Sequence, residues 1–301
     1  MKSLLGFILT LLLAFGLAMP SGNVVRANAR SPRALPFVHE HAACEFLSAT
    51  DSAALITWHP VEVECPVCKT RNIFMQWGSY GSYIYQYPSK YQLVFWPQTD
   101  GAAWWSCKRC RLTAFMGDFK SIPAEKIPAL REALRDAKLP PQKERSAAQS
   151  MDEPPYLALP KSARLVVAEK VYRTLGQMKD EGWNHFYRVM GYHFQLEGMQ
   201  AEADEARRKS LALTKNALAA DAADGVRKEL LYVSGAMKHF LRDDAGALRD
   251  FEEARKLTYS NKEIKGDNGE GYNAYLSNLI DEYIEMLRKG DGPRNKDAND
   301  N

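Results

Sequence analysis

The sequence predicts an α+β protein, in which a small β domain tied together by cysteines precedes an all-α domain of helical hairpins. Three observations predict this. Four of the five cysteines form two Cys-x-x-Cys pairs, Cys65 with Cys68 and Cys107 with Cys110, with 38 residues between the pairs. The intervening stretch is crowded with aromatic residues, of which Tyr83, Tyr85 and Tyr87 alternate at strand period. From residue 162 onward, apolar residues recur instead at three- and four-residue spacing.

In chain order, Lys2 followed by an apolar run from Leu4 to Ala18 has the charge and length of a secretory signal and is short for a membrane span. Pro20 and Gly22 break that helix, and Ala27-Asn28-Ala29 offers a cleavage site, with Ala18 as the second choice. The alternative is an uncleaved anchor, tilted in a thin bilayer. No cysteine lies near either site, which speaks against a lipid-modified terminus. Removing residues 1–29 takes away Lys2 and Arg26 and no acidic residue, so the formal charge falls from +3 to +1. A near-neutral mature chain argues against broad binding to nucleic acid or anionic membrane. The expected location is periplasmic or secreted, with no stable membrane anchor.

Residues 30–60 carry little periodicity and read as an extended lead-in. Residues 61–137 are the β domain. Its cysteines have the types and grouping that a tetrahedral Zn²⁺ requires, two thiolates on each of two tight turns, which makes it zinc-ribbon-like. Cys65, Cys68, Cys107 and Cys110 are therefore the expected metal ligands, around a structural zinc. The gap exceeds the 15 to 20 residues of compact ribbons, and an inserted aromatic hairpin would absorb the difference. Lys69, Arg71, Lys108, Arg109 and Arg111 stand beside the cysteines to offset the net charge of four thiolates on one dication. An anionic partner is the competing use of those charges.

Two rivals to zinc come from the compartment. An oxidising periplasm favours structural disulfides, and Cys-x-x-Cys also serves as a redox pair. A redox pair needs its first thiol at a helix amino terminus, whereas Cys65 follows the strand-like Val61-Glu62-Val63. The aromatic block admits sugar stacking as well as core packing, and a small metal-held domain needs the latter. Cys44 with His39 and His41 has the residue types of a second metal site but no periodic scaffold, so an idle thiol in a terminal arm is the expectation. His59 lies further along, and His185, His193 and His239 read as packing or surface residues on separate helices.

Residues 121–138 read as a short helix with Leu130, Leu134 and Ala137 on one face. The segment 138–162 carries Pro140, Pro141, Pro154, Pro155 and Pro160 and is the expected linker. The helical domain, 163–287, shows four apolar stripes, carried by Leu165 to Leu175, Leu230 to Phe240, Ala247 to Leu257 and Leu276 to Tyr283. Gly191 precedes Ala203 by twelve residues and Gly235 precedes Ala247 by twelve, each across a turn. That is the small-residue pattern of tetratricopeptide-like hairpins, against plain antiparallel packing as the alternative. The glycines are 44 apart instead of 34, which requires an insertion near residues 214–225. Residues 288–301 form a polar tail with the composition of a disordered segment.

Cys-Pro-x-Cys, a Tyr-rich stretch, the second Cys-x-x-Cys, then Thr113-Ala114-Phe115 and Asp118-Phe119 together resemble the uncharacterised bacterial domain-of-unknown-function family 2225. The resemblance covers roughly residues 63–287, and its motif-specific part is 65–119. It implies that the four cysteines are the family's metal ligands and that tetratricopeptide-like hairpins follow. The family places Gly directly after each knuckle, where this chain has Lys69 and Arg111. Since Gly permits positive φ there, the two knuckles are expected to be strained or differently shaped.

No Ser-His-Asp order, phosphate-cradling loop or paired catalytic carboxylates stand out. The first expectation is a non-enzymatic, exported interaction protein whose helical hairpins bind a protein or peptide partner and not nucleic acid. The alternatives are a thiol-disulfide oxidoreductase using Cys65 or Cys107, and a nucleic-acid-binding ribbon if the chain stays in the cytoplasm.

Overall fold

The computed structural model describes residues 57–79, 88–137, 139–141, 143, 159–220, 224–260 and 269–290. The signal segment, nearly all of the lead-in with His39, His41 and Cys44, the alternating Tyr83, Tyr85 and Tyr87, most of the linker and the tail beyond Gly290 lie outside them. Among the described residues, no helix is long and apolar enough to cross a membrane.

Small antiparallel sheets come first and helices follow. Strand β1 (Thr57–Glu64) pairs with β2 (Arg71–Ser79), placing Val61 opposite Phe74 and Val63 opposite Asn72. Two short strands, β3 (Pro88–Ser89) and β4 (Val94–Phe95), form the next pair, and β5 (Trp104–Ser106) with β6 (Thr113–Phe115) the third. A two-stranded hairpin is marginal alone. Here the hairpins are held by their aromatic side chains: Phe74 stacks on Trp105 at 4.7 Å between ring centroids, and the Trp105 indole N–H donates to the Met75 carbonyl at 3.0 Å. Trp96, Trp104 and Trp105 are buried, so these rings serve the core and offer no face to a sugar.

A single turn, α1 (Met116–Phe119), leads to α2 (Ile127–Leu134), which buries Leu130 and Leu134. The helix starts six residues later than the sequence pattern suggests because Pro128 has no N–H to donate into an earlier turn and so sits in the first turn. The long helices are α3 (Lys161–Leu175), α4 (Asp180–Leu196), α5 (Gln200–Ala219), α6 (Asp224–Phe240), α7 (Asp244–Ala254) and α8 (Glu270–Lys289). Gly176 in the left-handed region closes α3, and the Glu197 carboxylate accepts the first free N–H groups of α3, Lys161 at 2.8 Å and Ser162 at 3.3 Å. Asp243 caps α7 by accepting from the Gly246 N–H at 2.9 Å.

Helices α4 with α5 and α6 with α7 form hairpins. Their glycines lie where the second helix crosses: a Cβ on Gly191 would meet Arg207 at 3.1 Å, and one on Gly235 would meet the Phe251 ring at 2.8 Å. The first interface is polar, since Asn184 bonds the Ser210 and Thr214 hydroxyls.

Among the described residues the buried apolar side chains form two clusters. One joins Cys65, Phe74, Trp104 and Phe119 of the hairpin region to Leu165, Val171, Phe186 and Ala206 of α3 to α5. The other gathers Tyr232, Phe251, Ile280 and Tyr283 of α6 to α8 around Tyr91 and Leu93, which belong to the segment between the cysteine pairs. Buried polar side chains of the helices hold that segment by its carbonyls. Arg188 donates to Gln92 O at 2.9 Å and Leu93 O at 3.1 Å, Arg164 to Trp104 O at 2.8 Å, and the His193 ring to Gln98 O at 2.9 Å. Burial pushes the His193 pKa down to about 3, so the ring is neutral and its Nε2–H is the donor. The fully buried Arg207 lies over the Phe240 ring at 4.2 Å and donates to the Gln92 side chain at 3.2 Å.

Candidate metal centre

Each cysteine pair occupies a turn between two strands. The chain leaves β1 at Glu64, and Cys65 N donates to Thr70 O at 2.9 Å while Lys69 N donates to Cys65 O at 2.9 Å. The second turn repeats the pattern, with Cys107 N to Leu112 O at 2.8 Å and Arg111 N to Cys107 O at 3.1 Å. Lys69 and Arg111 carry φ of 62° and 67°. Both positions are thus left-handed, and non-glycine residues adopt them at a cost of about 1–2 kcal/mol each.

The hairpins bring the four sulfurs together. Cys65 Sγ lies 3.5 Å from Cys110 Sγ, Cys68 Sγ lies 3.5 Å from Cys107 Sγ, and all four fall within 4.8 Å of one another. A tetrahedral thiolate site with metal–sulfur bonds of about 2.3 Å has edges of about 3.8 Å, so the cluster fits a metal ion. The cysteines are free, and 3.5 Å is far from the length of about 2.05 Å of a disulfide. Both pairs lie between strands, and neither Cys65 nor Cys107 opens a helix.

Asn72, paired across from Val63, buries its side chain between the knuckles. Its amide donates to Thr70 O at 2.8 Å and lies 3.7 Å from Cys107 Sγ, while its oxygen accepts the Lys108 N–H at 2.9 Å. One side chain therefore ties the first turn to the second and points a donor at a sulfur. Thr70 Oγ1 lies 3.3 Å from Cys68 Sγ. Arg131 of α2 closes the back of the first knuckle, donating twice to Val67 O at 3.1 and 2.9 Å. Asn72 and Arg131 were not evident in the sequence. A polar residue on the inward face of a strand was the available signal for Asn72.

The cations expected to offset the cluster divide. Lys69 and Arg71 turn to Glu64 and Glu62 of β1, at 3.5 and 3.3 Å, and Arg111 donates to Lys108 O at 2.9 Å. His59 is exposed on β1, while His185, His193 and His239 are buried in the helical region.

Three of the thiols influence one another. Hydrogen bonding with Cys110, then Cys65, holds Cys107 far below the usual thiol range, while the same bonding raises Cys110, and Cys65 is pushed up to about 12, chiefly by Cys107. A cation among the sulfurs would favour the thiolate forms of Cys65 and Cys110.

Tyr172 of α3 fastens the segment just beyond the second knuckle. Its hydroxyl accepts the Phe115 N–H at 3.0 Å and donates to Asp118 at 2.6 Å. The Thr113-Ala114-Phe115 and Asp118-Phe119 stretches thus dock β6 on a helix rather than touch the sulfurs. No protein-family model matches the chain, and comparison with curated proteins and with solved structures finds no match either.

Proposed function

We propose that the chain is an exported, non-enzymatic interaction protein in which Cys65, Cys68, Cys107 and Cys110 hold a structural Zn²⁺. The observation that carries this reading is the convergence of four sulfurs from two strand–turn–strand knuckles, within 4.8 Å of one another. An all-thiolate set of four, with no position kept open for substrate, suits structural zinc. The reading also takes the knuckles as a zinc ribbon and the likeness to family 2225 as real. The helical hairpins α4–α5 and α6–α7 are taken as tetratricopeptide-like, and their surface as the place where a protein or peptide partner binds.

Metal and thiol stoichiometry on the full mature chain tests it. One zinc per chain, four thiols that react only after chelation, and no turnover in an insulin-reduction assay are expected. Two disulfides without metal, or turnover lost in Cys65→Ser and Cys107→Ser, would overturn the assignment. Cell fractionation tests export, and cytoplasmic retention would reject it.

A further inference from the structure

Next to the cysteine cluster an open cleft of about 570 Å³ runs between the second knuckle and α2. Four arginines line it, Arg109 and Arg111 from the knuckle, Arg131 from α2 and Arg135 just past its end, and among the described residues no carboxylate does. Arg131 and Arg135, the latter capping the end of α2 with helical backbone, are four residues apart, an arrangement that repels by about 0.2–0.5 kcal/mol without an anion between them. Arg131 is partly used on Val67 O, and Arg135 pairs with Glu132. The Arg109 side chain is exposed and, among the described residues, makes no hydrogen bond or ion pair. Four thiolates on a dication carry a net charge of about minus two, so the arginines exceed even the full charge of the centre.

We infer that this cleft is a second interaction surface, which takes a peptide segment carrying several carboxylates. Guanidinium forks bind carboxylates in a bidentate way, and a cleft of about 570 Å³ with guanidiniums from two elements has room for several carboxylates of one chain, more than a free phosphate fills. Among the described residues no aromatic ring lines the cleft, so they offer no stacking platform of the kind a single-stranded nucleic acid needs. The inference rests on the knuckles being held in place by metal, and not on the helical surface that the previous section assigns to a partner.

The test uses the full, zinc-loaded chain and fluorescence anisotropy. The probes are a labelled peptide of alternating Glu and Leu, its Gln–Leu counterpart, and a short oligothymidylate. The Glu–Leu peptide should bind, more weakly at high salt, and Arg109→Glu and Arg135→Glu should each weaken it by roughly tenfold or more. Both side chains are exposed, so zinc content and melting temperature should stay at the wild-type values. Equal binding of the Gln–Leu peptide, unchanged affinity in both variants, or no binding by zinc-loaded protein would overturn the inference. Tighter, arginine-dependent binding of oligothymidylate would also overturn it, in favour of a nucleic-acid surface. Zinc content measured on the same samples separates each of these results from a failure of the metal assignment.

Discussion

Replacing Asp118 with Asn should stabilise the chain near neutral pH, because the native carboxyl is buried against Tyr172 with one oxygen unpartnered among the described residues. Burial raises its pKa from an ordinary 3.8 to about 6, against a smaller lowering by the Tyr172 hydrogen bond. At about 1.36 kcal/mol per pH unit, that rise corresponds to about 3 kcal/mol. A folded-state value above the unfolded one means that the folded chain holds the extra proton between them. The contribution is therefore fully present below 3.8 and is lost as pH rises through about 6. Asn keeps an oxygen for the Tyr172 hydroxyl, but its amide takes the place of the unpartnered Oδ1, which costs about 1 kcal/mol. The variant should thus be more stable than the wild type by about 2 kcal/mol at pH 7.5, and the advantage should shrink by more than 1 kcal/mol at pH 5. Urea unfolding of both proteins, metal-saturated at each pH, measures this, and the comparison cancels any acid loss of metal common to the two. A difference that does not change with pH, or a variant less stable than wild type at pH 7.5, would refute the account of Asp118.

Gly235→Ala gains about 1 kcal/mol of helix propensity but drives a Cβ to 2.8 Å from Phe251, which is fully buried and stacked on Tyr283 at 4.4 Å. Overpacking of about 1–3 kcal/mol should win, and calorimetry should show a lower melting temperature. Asn72→Ala removes the bridge between the knuckles and should weaken metal binding by about 10–100-fold in a chelator competition, with the helical circular dichroism unchanged. Lys69→Gly and Arg111→Gly relieve left-handed backbone at φ 62° and 67° and should each stabilise by about 0.5–1 kcal/mol in urea titrations, after the entropy of the added glycine is counted. Stripping the metal with a strong chelator should lower the melting temperature and make all four knuckle thiols reactive.

The cysteine centre was legible in the sequence because its geometry is local: each pair lies on one tight turn, and only the meeting of two turns is long-range. The stripes of α3, α6, α7 and α8 were legible for the same reason, since helical period repeats within a few residues. Tyr91 and Leu93 were not. They sit in an aromatic stretch that looks like part of a small β domain, yet they pack against helices 140 to 190 residues further along, as the Tyr232 hydroxyl bond to Tyr91 O at 3.2 Å records. Arg188 and Arg207 were hidden as well, because a charged residue on a helix ordinarily marks the solvent face. The Ala203, Ala206 and Ser210 around Arg207 marked that face as a core one, but nothing local says which carbonyls or amides wait opposite.

The carbonyl clamps of Arg164, Arg188 and His193 also bear on how this chain can be divided. Each fastens a residue on the amino-terminal side of the Pro-rich stretch to a helix on its carboxyl side, inside a shared apolar interior. Cutting the peptide between residues 143 and 159 would therefore sever a covalent bond without separating two bodies. A nicked chain should elute as one species under native conditions and fall into two fragments only in denaturant. Halves expressed separately should be poor folders alone and should complement each other when mixed.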